Sequence, residues 1–380
     1  MVRNLQLLRE TFLPELFLFL HFKPAFTLFQ IIAYFKFLLR STNQHGVHSP
    51  FVYNLLTECL YKKDKKPDFN TISAYIKNVR QDERIIQVKD FGAGSRVFKS
   101  NARKVSDIAK NAGITKKRAF LLNKLTSYLN ISSALELGTS VGISSAAIAA
   151  RNRLKLTTLE GCPETAEVAK EYFERFGIGN VEVIVGEFDL VLKKLKEDNG
   201  QRTEESSEIQ NSKFKGPITE QTNQIPKSKF QAPNSKFQIP MDGNLPATNP
   251  EQLTTNPELQ TAPNNLQPTT YNIQPTTNNI KHKTYNQPKT INYKPQTPNL
   301  IFFDGNHQKE ATLKYFEMLL PLAHNESVFI FDDIHWSKGM EEAWEQIKAH
   351  PRVRVSIDSF FWGMVFFRQE QEKEHFTIRL

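Results

Sequence analysis

The sequence predicts an α/β protein with a doubly wound, mostly parallel sheet of seven strands and a helical segment at the N-terminus. Short apolar runs of strand length alternate with amphipathic segments of helix length over residues 119–198 and again over 299–368. Glycines or acidic residues follow most of these runs. The last two runs, 353–357 and 363–368, are joined by a tight turn and would add an antiparallel edge.

The elements of the first stretch follow one another without a long gap. An amphipathic helix over 119–129 leads into the apolar strand 134–137, and a turn with two glycines follows that strand. Next come a small-residue helix, a second strand, a third helix, a third strand and a last helix, over 143–151, 156–159, 163–176, 181–185 and 190–196. This alternation is typical of a parallel sheet with helices on both faces.

The second stretch repeats the pattern. A strand over 300–303 ends at Asp304, and a strand over 327–331 ends at Asp332 and Asp333. Helices follow both strands, and the last forty residues hold the remaining strands, with a further short candidate at 376–379.

A segment of different composition, residues 199–298, separates the two stretches. Asn, Gln, Thr, Pro and Ser dominate it, and large aliphatic residues are few. Such a segment buries too little apolar surface to offset its ordering entropy, so we expect a disordered insertion. The predicted organisation is a basic helical cap over 1–100 and an α/β domain split into 101–198 and 299–380 by this insertion.

The N-terminal region carries most of the positive charge. Of a net charge of +9, residues 1–118 contribute +12, from 21 Lys and Arg against 9 Asp and Glu. Residues 1–40 are rich in Phe and Leu, but no run reaches the roughly 20 uninterrupted apolar residues that a membrane span needs. We expect this segment to pack on the rest of the chain, on a second copy in a homodimer, or on an anionic membrane surface as a peripheral contact. A solvated helical surface accounts for the charge equally well.

Two features bear on the cellular compartment. The two cysteines, Cys59 and Cys162, lie far apart in the sequence, which excludes a disulfide framework and a zinc-finger spacing. The apolar start of the chain contains Glu10 and Glu15 and shows no small-residue cleavage site, which argues against a secretory signal. The expected location is the cytoplasm.

Two glycine turns are candidates for a ligand loop. The first, at 90–95, is not followed by a second strand that ends in an acidic residue, so we interpret it as a structural turn. In the second turn, Gly138 and Gly142 let the backbone approach a ligand closely, and the helix after them presents free N–H groups. Glu160 ends the next strand, 22 residues after Gly138, where a carboxylate accepts hydrogen bonds from a ribose diol.

The chain resembles the class I methyltransferases that use S-adenosylmethionine, especially the O-methyltransferases of the catechol and caffeoyl-CoA type. The resemblance covers residues 100–198 and 299–368 and is carried by the segments ALELGTSVGISS, LTTLEGCPE, VIVGEF, LIFFDGNHQKEATLKYFEMLLPL and FIFDDIHWS. It implies a Rossmann-like fold, S-adenosylmethionine as the cofactor and a small-molecule methyl acceptor.

The resemblance also implies roles for individual residues in cofactor binding. The turn that begins at Glu136 would hold the methionine part, Glu160 the ribose, and the segment after the third strand the adenine. The implied cofactor-binding set is Glu136, Gly138, Ser140, Gly142, Ser144, Glu160, Glu187, Phe188 and Asp304.

A catalytic group and a metal site follow from the same resemblance. Asp304 stands where metal-dependent relatives place a carboxylate ligand, and Asp332 and Asp333 match a pair that is usually Asp-Asn there. The three side chains would hold Mg²⁺. His307 takes the place of a Lys base, and Lys309 lies close by. The alternatives are a helix cap and turn at Asp332 and Asp333, and a surface position for His307.

Other classes of protein remain open. A NAD-dependent oxidoreductase also uses a glycine turn and a ribose acid, but its turn follows the spacing Gly-x-Gly-x-x-Gly, whereas Gly138 and Gly142 are four residues apart. A non-catalytic module with the same fold would bind a membrane surface through residues 1–40. The signal for nucleic acid is weak, because the fourth strand ends in Asp-Gly-Asn-His, without the Asn/Asp-Pro-Pro-aromatic tetrapeptide typical of amino-group methylation.

Overall fold

The computed structural model of the protein describes residues 27–63, 68–89, 100–150, 154–194 and 297–380. These residues belong to one compact unit, Met1–Asn211 together with Tyr293–Leu380. Three predictions lie outside the described residues: the glycine turn at 90–95, the apolar runs before residue 27, and the insertion up to residue 296. The predicted domain boundaries therefore stay a prediction.

Two short strands, β1 (Ile85–Gln87) and β2 (Ala102–Lys104), form a separate antiparallel pair. The main sheet consists of β3 (Ser133–Leu137), β4 (Lys155–Glu160), β5 (Val181–Val185), β6 (Leu300–Phe303), β7 (Val328–Asp332), β8 (Val355–Asp358), β9 (Trp362–Phe366) and β10 (Glu374–Thr377). Their order across the sheet is β10-β8-β9-β7-β6-β3-β4-β5. The chain therefore fills one side of β3 first and then crosses to the other side, which is the doubly wound arrangement.

The predicted α/β class and the doubly wound, mostly parallel sheet are confirmed. The structure differs in two details. Strand β9 is antiparallel to both β7 and β8, so the reversed strand lies inside the sheet and not at its edge. Strand β10 overlaps the further short candidate at 376–379 and is an eighth strand, parallel to β8. A bridge between Thr42 and Ile378 continues this pairing towards the N-terminal helices. An edge that would otherwise be open is thereby partly covered.

Helices pack on the two faces of the sheet: α1 (Leu28–Arg40), α2 (Pro50–Asn54, continued as a π-helix over Leu55–Leu60), α3 (Asp68–Val79), α4 (Val105–Asn111), α5 (Lys116–Tyr128), α6 (Ile143–Ala149), α7 (Pro163–Arg175), α8 (Lys309–Leu319) and α9 (Lys338–Ala349). Alternate residues of each strand point to opposite faces. Accordingly Leu300 and Phe302 join one buried cluster, whereas Ile301 and Phe303 join the other. Burial on both faces explains why these strands are apolar throughout.

The N-terminal cap contacts the α/β domain through α1 and α3. Helix α1 begins with a capping box at Thr27, and its Phe37 packs 5.5 Å from the ring of Phe360 in the turn between β8 and β9. The opposite side of α1 leaves Leu28 and Leu39 72% and 74% exposed. Within the described ranges, no helix is long and apolar enough to cross a membrane.

Candidate cofactor and catalytic site

The carboxyl ends of the central strands meet at one edge of the sheet. Parallel pairing aligns Leu137 with Leu159 and with Phe303, and Phe303 with Phe331. The residues that follow lie side by side along this edge: Gly138, Glu160, Asp304 and Asp332. The order of the strands reverses between β3 and β6, which is where open α/β sheets bind their ligands.

The glycine turn after β3 needs both of its glycines. Gly138 and Gly142 have φ angles of 108° and 79°, in the left-handed region that side chains disfavour. A Cβ atom at Gly138 would overlap the backbone carbonyl of Asp304, and one at Gly142 would overlap the hydroxyl of Tyr75 and the ring of Phe173. The turn therefore packs directly against the end of β6 on one side and against aromatic rings on the other.

Tyr75 of α3 supports this turn from the N-terminal cap. Its side chain is fully buried, and its hydroxyl donates a 2.9 Å hydrogen bond to the carbonyl of Val141. Its ring lies 6.0 Å from that of Phe173 in α7. Sequence reasoning missed this residue, although the apolar spacing of Ile72, Tyr75, Ile76 and Val79 is that of a helix face and gives the signal.

Glu160 joins the end of β4 to the glycine turn. Its Oε2 accepts a 2.7 Å hydrogen bond from the amide of Ser140, and its Oε1 accepts a 2.8 Å bond from the amide of Cys162. Burial raises the pKa of Glu160, and the bonds from Cys162 and Ser140 oppose that rise. Hydrogen bonds from Thr165 and Gly161 also lower this pKa, so four donors surround the Glu160 carboxylate at the end of β4.

Glu136 lies beneath the turn and is fully buried on β3. Its Oε2 accepts hydrogen bonds from Ser145 and, at 2.6 Å, from Thr158. Burial raises its pKa to about 7, while hydrogen bonds from Ser145, Thr158 and Ser144 oppose the shift. Among the described residues, Oε1 of Glu136 has no hydrogen-bond partner. The site thus contains a deeply buried acceptor that an added donor would satisfy.

The segment after β5 forms another wall of the site. Phe188 is partly buried and begins a helical segment over 188–194, while Glu187 before it is exposed. The Phe188 ring packs edge-on at 5.9 Å from Tyr315 and lies against Gly305, where a Cβ atom would come within 2.8 Å of it. The structure thus brings Phe188, but not the exposed Glu187, against the chain that follows β6.

Asp332, at the end of β7, forms a buried ion pair with Arg118 of α5. The Nη1 group of Arg118 donates to Oδ1 of Asp332 at 2.9 Å, and the two side chains are 9% and 6% exposed. Arg118 also lies over the ring of Phe361 at 5.1 Å. Burial raises the pKa of Asp304 well above its usual value, and the neighbouring Asp332 raises it further. Sequence reasoning did not single out Arg118.

The three predicted metal ligands do not fit a divalent ion. No group of His, Cys, Asp or Glu in the described part of the chain is arranged to hold a metal. One oxygen of Asp332 is taken by Arg118. Asp333 adopts a left-handed φ of 52°, and its amide donates to the carbonyl of Phe361, as a turn residue would. The alternative of a turn at this position accounts for the geometry better than Mg²⁺ does.

His307 and Lys309 follow β6 at the same edge. The ring of His307 is partly exposed and lies 6.5 Å from that of Trp336, in the loop after β7. Lys309 is the first residue of α8, and its Nζ forms a 2.6 Å ion pair with Glu342 of α9. The hydrogen bond to Glu342 raises the pKa of Lys309. Lys309 is therefore held as a cation, whereas His307 lies beside an aromatic ring at the mouth of the site.

His335 fixes the loop after β7, and sequence reasoning missed it. Its Nδ1 lies 2.7 Å from Oε1 of Glu341, and its Nε2 lies 3.0 Å from Oδ2 of Asp358. The ring stacks on Phe360 at 5.0 Å. Burial alone would lower the pKa of His335, but the bonds to Asp358 and Glu341 outweigh it and raise the pKa to about 9. An imidazolium thus ties this loop to the turn between β8 and β9.

No protein-family model and no curated protein sequence matches the chain. Similar solved structures include an O-methyltransferase from Bacillus cereus in complex with SAH, at 15% identity over 83% of this chain and 97% of that chain, with a TM-score of 0.39. They also include an SAH-bound methyltransferase from Podospora anserina, at 11% identity over 85% and 97%, with a TM-score of 0.43. A third is an O-methyltransferase from Streptomyces achromogenes in complex with SAM, at 12% identity over 86% and 99%, with a TM-score of 0.40. All three belong to the class that the sequence resembles, but at these identities and TM-scores the likeness carries no argument, and only the site geometry supports a function.

Proposed function

We propose that the chain is a class I methyltransferase that moves a methyl group from S-adenosylmethionine to an oxygen atom of a small-molecule acceptor. The 2.7 Å hydrogen bond between the Ser140 amide and Glu160 carries this proposal. It joins a glycine turn after one strand to a carboxylate at the end of the next, at the point where the strand order reverses. That is the arrangement in which α/β folds bind the ribose and the adjoining polar group of a nucleoside cofactor.

Two observations support the fit of this cofactor. Glu160 is a carboxylate at the end of β4, held beside the glycine turn by its bonds from Ser140 and Cys162, which is where a ribose acid lies in nucleotide-binding α/β folds. Oε1 of Glu136 is a buried acceptor without a partner among the described residues, and an ammonium group such as that of the cofactor's methionine part would satisfy it. Bound S-adenosylmethionine supplies an already activated methyl group, so the protein's task is alignment.

The remaining residues of the predicted cofactor site take roles consistent with their positions. Gly138, Ser140 and Gly142 form the turn beneath the methionine part, and Ser144 acts through its hydrogen bond to Glu136. Phe188 presents its ring to the adenine side of the site, beside Gly305. The exposed Glu187 is the least constrained member of the predicted set.

His307 is the base in this proposal. A base must be unprotonated before it accepts a proton, and the ion pair with Glu342 holds Lys309 protonated. His307 has no such ion pair among the described residues, and its ring lies beside Trp336, which would form one wall of the acceptor site. The acceptor would lie between these two rings and the end of β6.

The NAD-dependent alternative fits less well. Gly138 and Gly142 are four residues apart, a separation that no two glycines of the dinucleotide pattern Gly-x-Gly-x-x-Gly have. Strand β9, antiparallel between β7 and β8, also departs from the all-parallel sheet of two equivalent halves that binds a dinucleotide.

A screen for methyl transfer tests the activity. Purified full-length protein is incubated with methyl-labelled S-adenosylmethionine and with phenolic, catecholic or lipid-like hydroxyl compounds, and the labelled product is measured. We expect transfer to at least one hydroxyl class. Cofactor binding without transfer to any acceptor would favour a non-catalytic module instead.

A membrane-surface or dimer contact of residues 1–40 is a second candidate function. One observation favours it, namely the high exposure of Leu28 and Leu39 on a helix that otherwise packs on the domain. The Leu28→Ser/Leu39→Ser variant keeps the buried side of α1 intact. Lost co-sedimentation with anionic vesicles would support the membrane contact, and a shift from dimer to monomer in ultracentrifugation would support self-association. If neither co-sedimentation nor the oligomeric state changes, this second candidate function is refuted.

A further inference from the structure

Arg118 is paired with the acidic group at the ends of β6 and β7 through Asp332. It is the third residue of α5, a helix whose first turn is capped by Thr115. Its guanidinium is 9% exposed and donates to Asp332 at 2.9 Å. Asp333 and Asp304 are its other electrostatic neighbours. One permanent cation thus interacts electrostatically with all three of the carboxyl groups that were predicted to ligate a metal.

The orientation of Arg118 is set on two sides. Asp332 accepts a hydrogen bond from the edge of the Arg118 guanidinium. The ring of Phe361, in the turn between β8 and β9, packs against the face of the guanidinium, 5.1 Å from its Cζ. A guanidinium is planar and does not lose its proton in proteins, so its charge is permanent. Removal of either partner of a buried ion pair leaves an uncompensated charge, so the pair persists in the folded protein.

A divalent ion at this place would compete with Arg118 for the same oxygen. Oδ1 of Asp332 already accepts the Nη1 bond, and an ion bound to it would lie within a few ångströms of a positive charge. Hard divalent ions require several oxygen ligands, and with Arg118 bound to Asp332 the described carboxylates are not arranged to hold one.

We propose that Arg118 takes the place of a divalent cation in this site, so that the charge of Asp332 is balanced from within the chain and the enzyme needs no metal. This rests on the proposed function for its setting, but the cation question is decided by binding and not by turnover. Arg118 is a positioning residue in this account: it holds Asp332 and balances its charge.

Binding of Mn²⁺ to the full-length chain tests the proposal without a substrate. Free Mn²⁺ is measured by electron paramagnetic resonance while wild type and Asp332→Asn are titrated. We expect no stoichiometric site in the wild type, and equal weak binding in both proteins. One Mn²⁺ per wild-type chain that is lost in Asp332→Asn would overturn the proposal.

Binding of Mn²⁺ to variants of Arg118 is the complementary measurement. Arg118→Gln frees the carboxylates, and we expect it to gain a Mn²⁺ site that Arg118→Lys and Arg118→Gln/Asp332→Asn lack. A folded Arg118→Gln protein that gains no Mn²⁺ would show that Arg118 is merely structural and would overturn the proposal. If Arg118→Gln does not fold, the wild-type titration decides.

Calorimetry with S-adenosylhomocysteine on the same samples separates the two proposals. Failure of the wild type to bind that nucleoside refutes the proposed function, whatever the Mn²⁺ titration shows.

Discussion

The backbone amide of Ser140 donates a 2.7 Å hydrogen bond to Oε2 of Glu160, 20 residues further along the chain. Ser140 has a left-handed φ of 48°, which is unusual for a residue with a side chain and costs of the order of 1 kcal/mol. The surrounding contacts, including the bond from Tyr75 to Val141, hold the turn in this shape. The two halves of the candidate cofactor site are therefore fixed relative to each other before any ligand binds.

Replacement of Gly138 by alanine should disrupt this turn. The new Cβ atom would overlap the carbonyl of Asp304 at a φ of 108°, so we expect a loss of at least about 2 kcal/mol in the free energy of unfolding. Urea denaturation measures it. Gly179→Ala is the matched control, because a Cβ atom there meets nothing within 4 Å. Equal stability of the two variants would contradict the packing described here.

Removal of the Tyr75 hydroxyl should weaken cofactor binding more than it weakens the fold. Tyr75→Phe deletes the bond to Val141 and leaves the ring in place, at a cost of about 1 kcal/mol in stability. Because that bond supports the glycine turn, we also expect a several-fold loss of affinity for S-adenosylhomocysteine in calorimetry.

Tyr172→Phe provides the control for Tyr75→Phe. It deletes a 3.1 Å bond to Asp82 on the far side of the ring cluster. Its stability should fall without a change in affinity. A Tyr75→Phe protein with wild-type affinity would show that the hydroxyl does not shape the turn.

Stability should depend on pH through His335. Its pKa is raised from 6.5 to about 9, so its bonds to Glu341 and Asp358 contribute fully below pH 6.5 and are lost as the pH rises through about 9. The contribution at low pH is at most about 3 kcal/mol. Denaturation of wild type and His335→Gln between pH 6 and 10 measures it, and the gap in unfolding free energy should close towards pH 10. A gap that stays constant over this range would refute the imidazolium clamp.

Substitutions of His307 and of Lys309 should have different effects on kcat, which can be measured once an acceptor is known. His307→Ala removes the proposed base and should lower kcat by about 100-fold, while the affinity for S-adenosylhomocysteine stays unchanged. Lys309→Ala breaks an ion pair that is partly exposed and should change kcat little. The opposite ranking of the two variants would move the base to Lys309.

Local patterns in the sequence were sufficient to predict the sheet and the glycine turn. Alternation of apolar strands with helices, and the spacing of Gly138 and Glu160, are both encoded within short stretches of chain. The pairing of β10 with β8 and the interior position of β9 depend instead on contacts between separate segments of the chain. The periodicity of apolar residues along the sequence gives no information on such pairing.

The same limit applied to the site. Arg118 and Asp332 are 214 residues apart in the sequence, and the 100-residue insertion lies between them. No local sequence pattern therefore relates the two residues. The expected Mg²⁺ site came from matching Asp304, Asp332 and Asp333 to a family motif, and that motif does not reveal that a helix residue occupies the place of the ion. The burial of Tyr75 could have been predicted from the sequence, because its helix has a clear apolar face.

The assignment of the cofactor is tested by equilibrium binding of S-adenosylhomocysteine and of NADH to the full-length chain, measured by calorimetry. We predict one S-adenosylhomocysteine per chain, at least about a tenfold weaker affinity in Glu160→Gln because of the lost ribose contacts, and an unchanged affinity in the control Glu317→Gln at an exposed position on α8. Binding of NADH without binding of S-adenosylhomocysteine would contradict the account and assign the site to a dinucleotide.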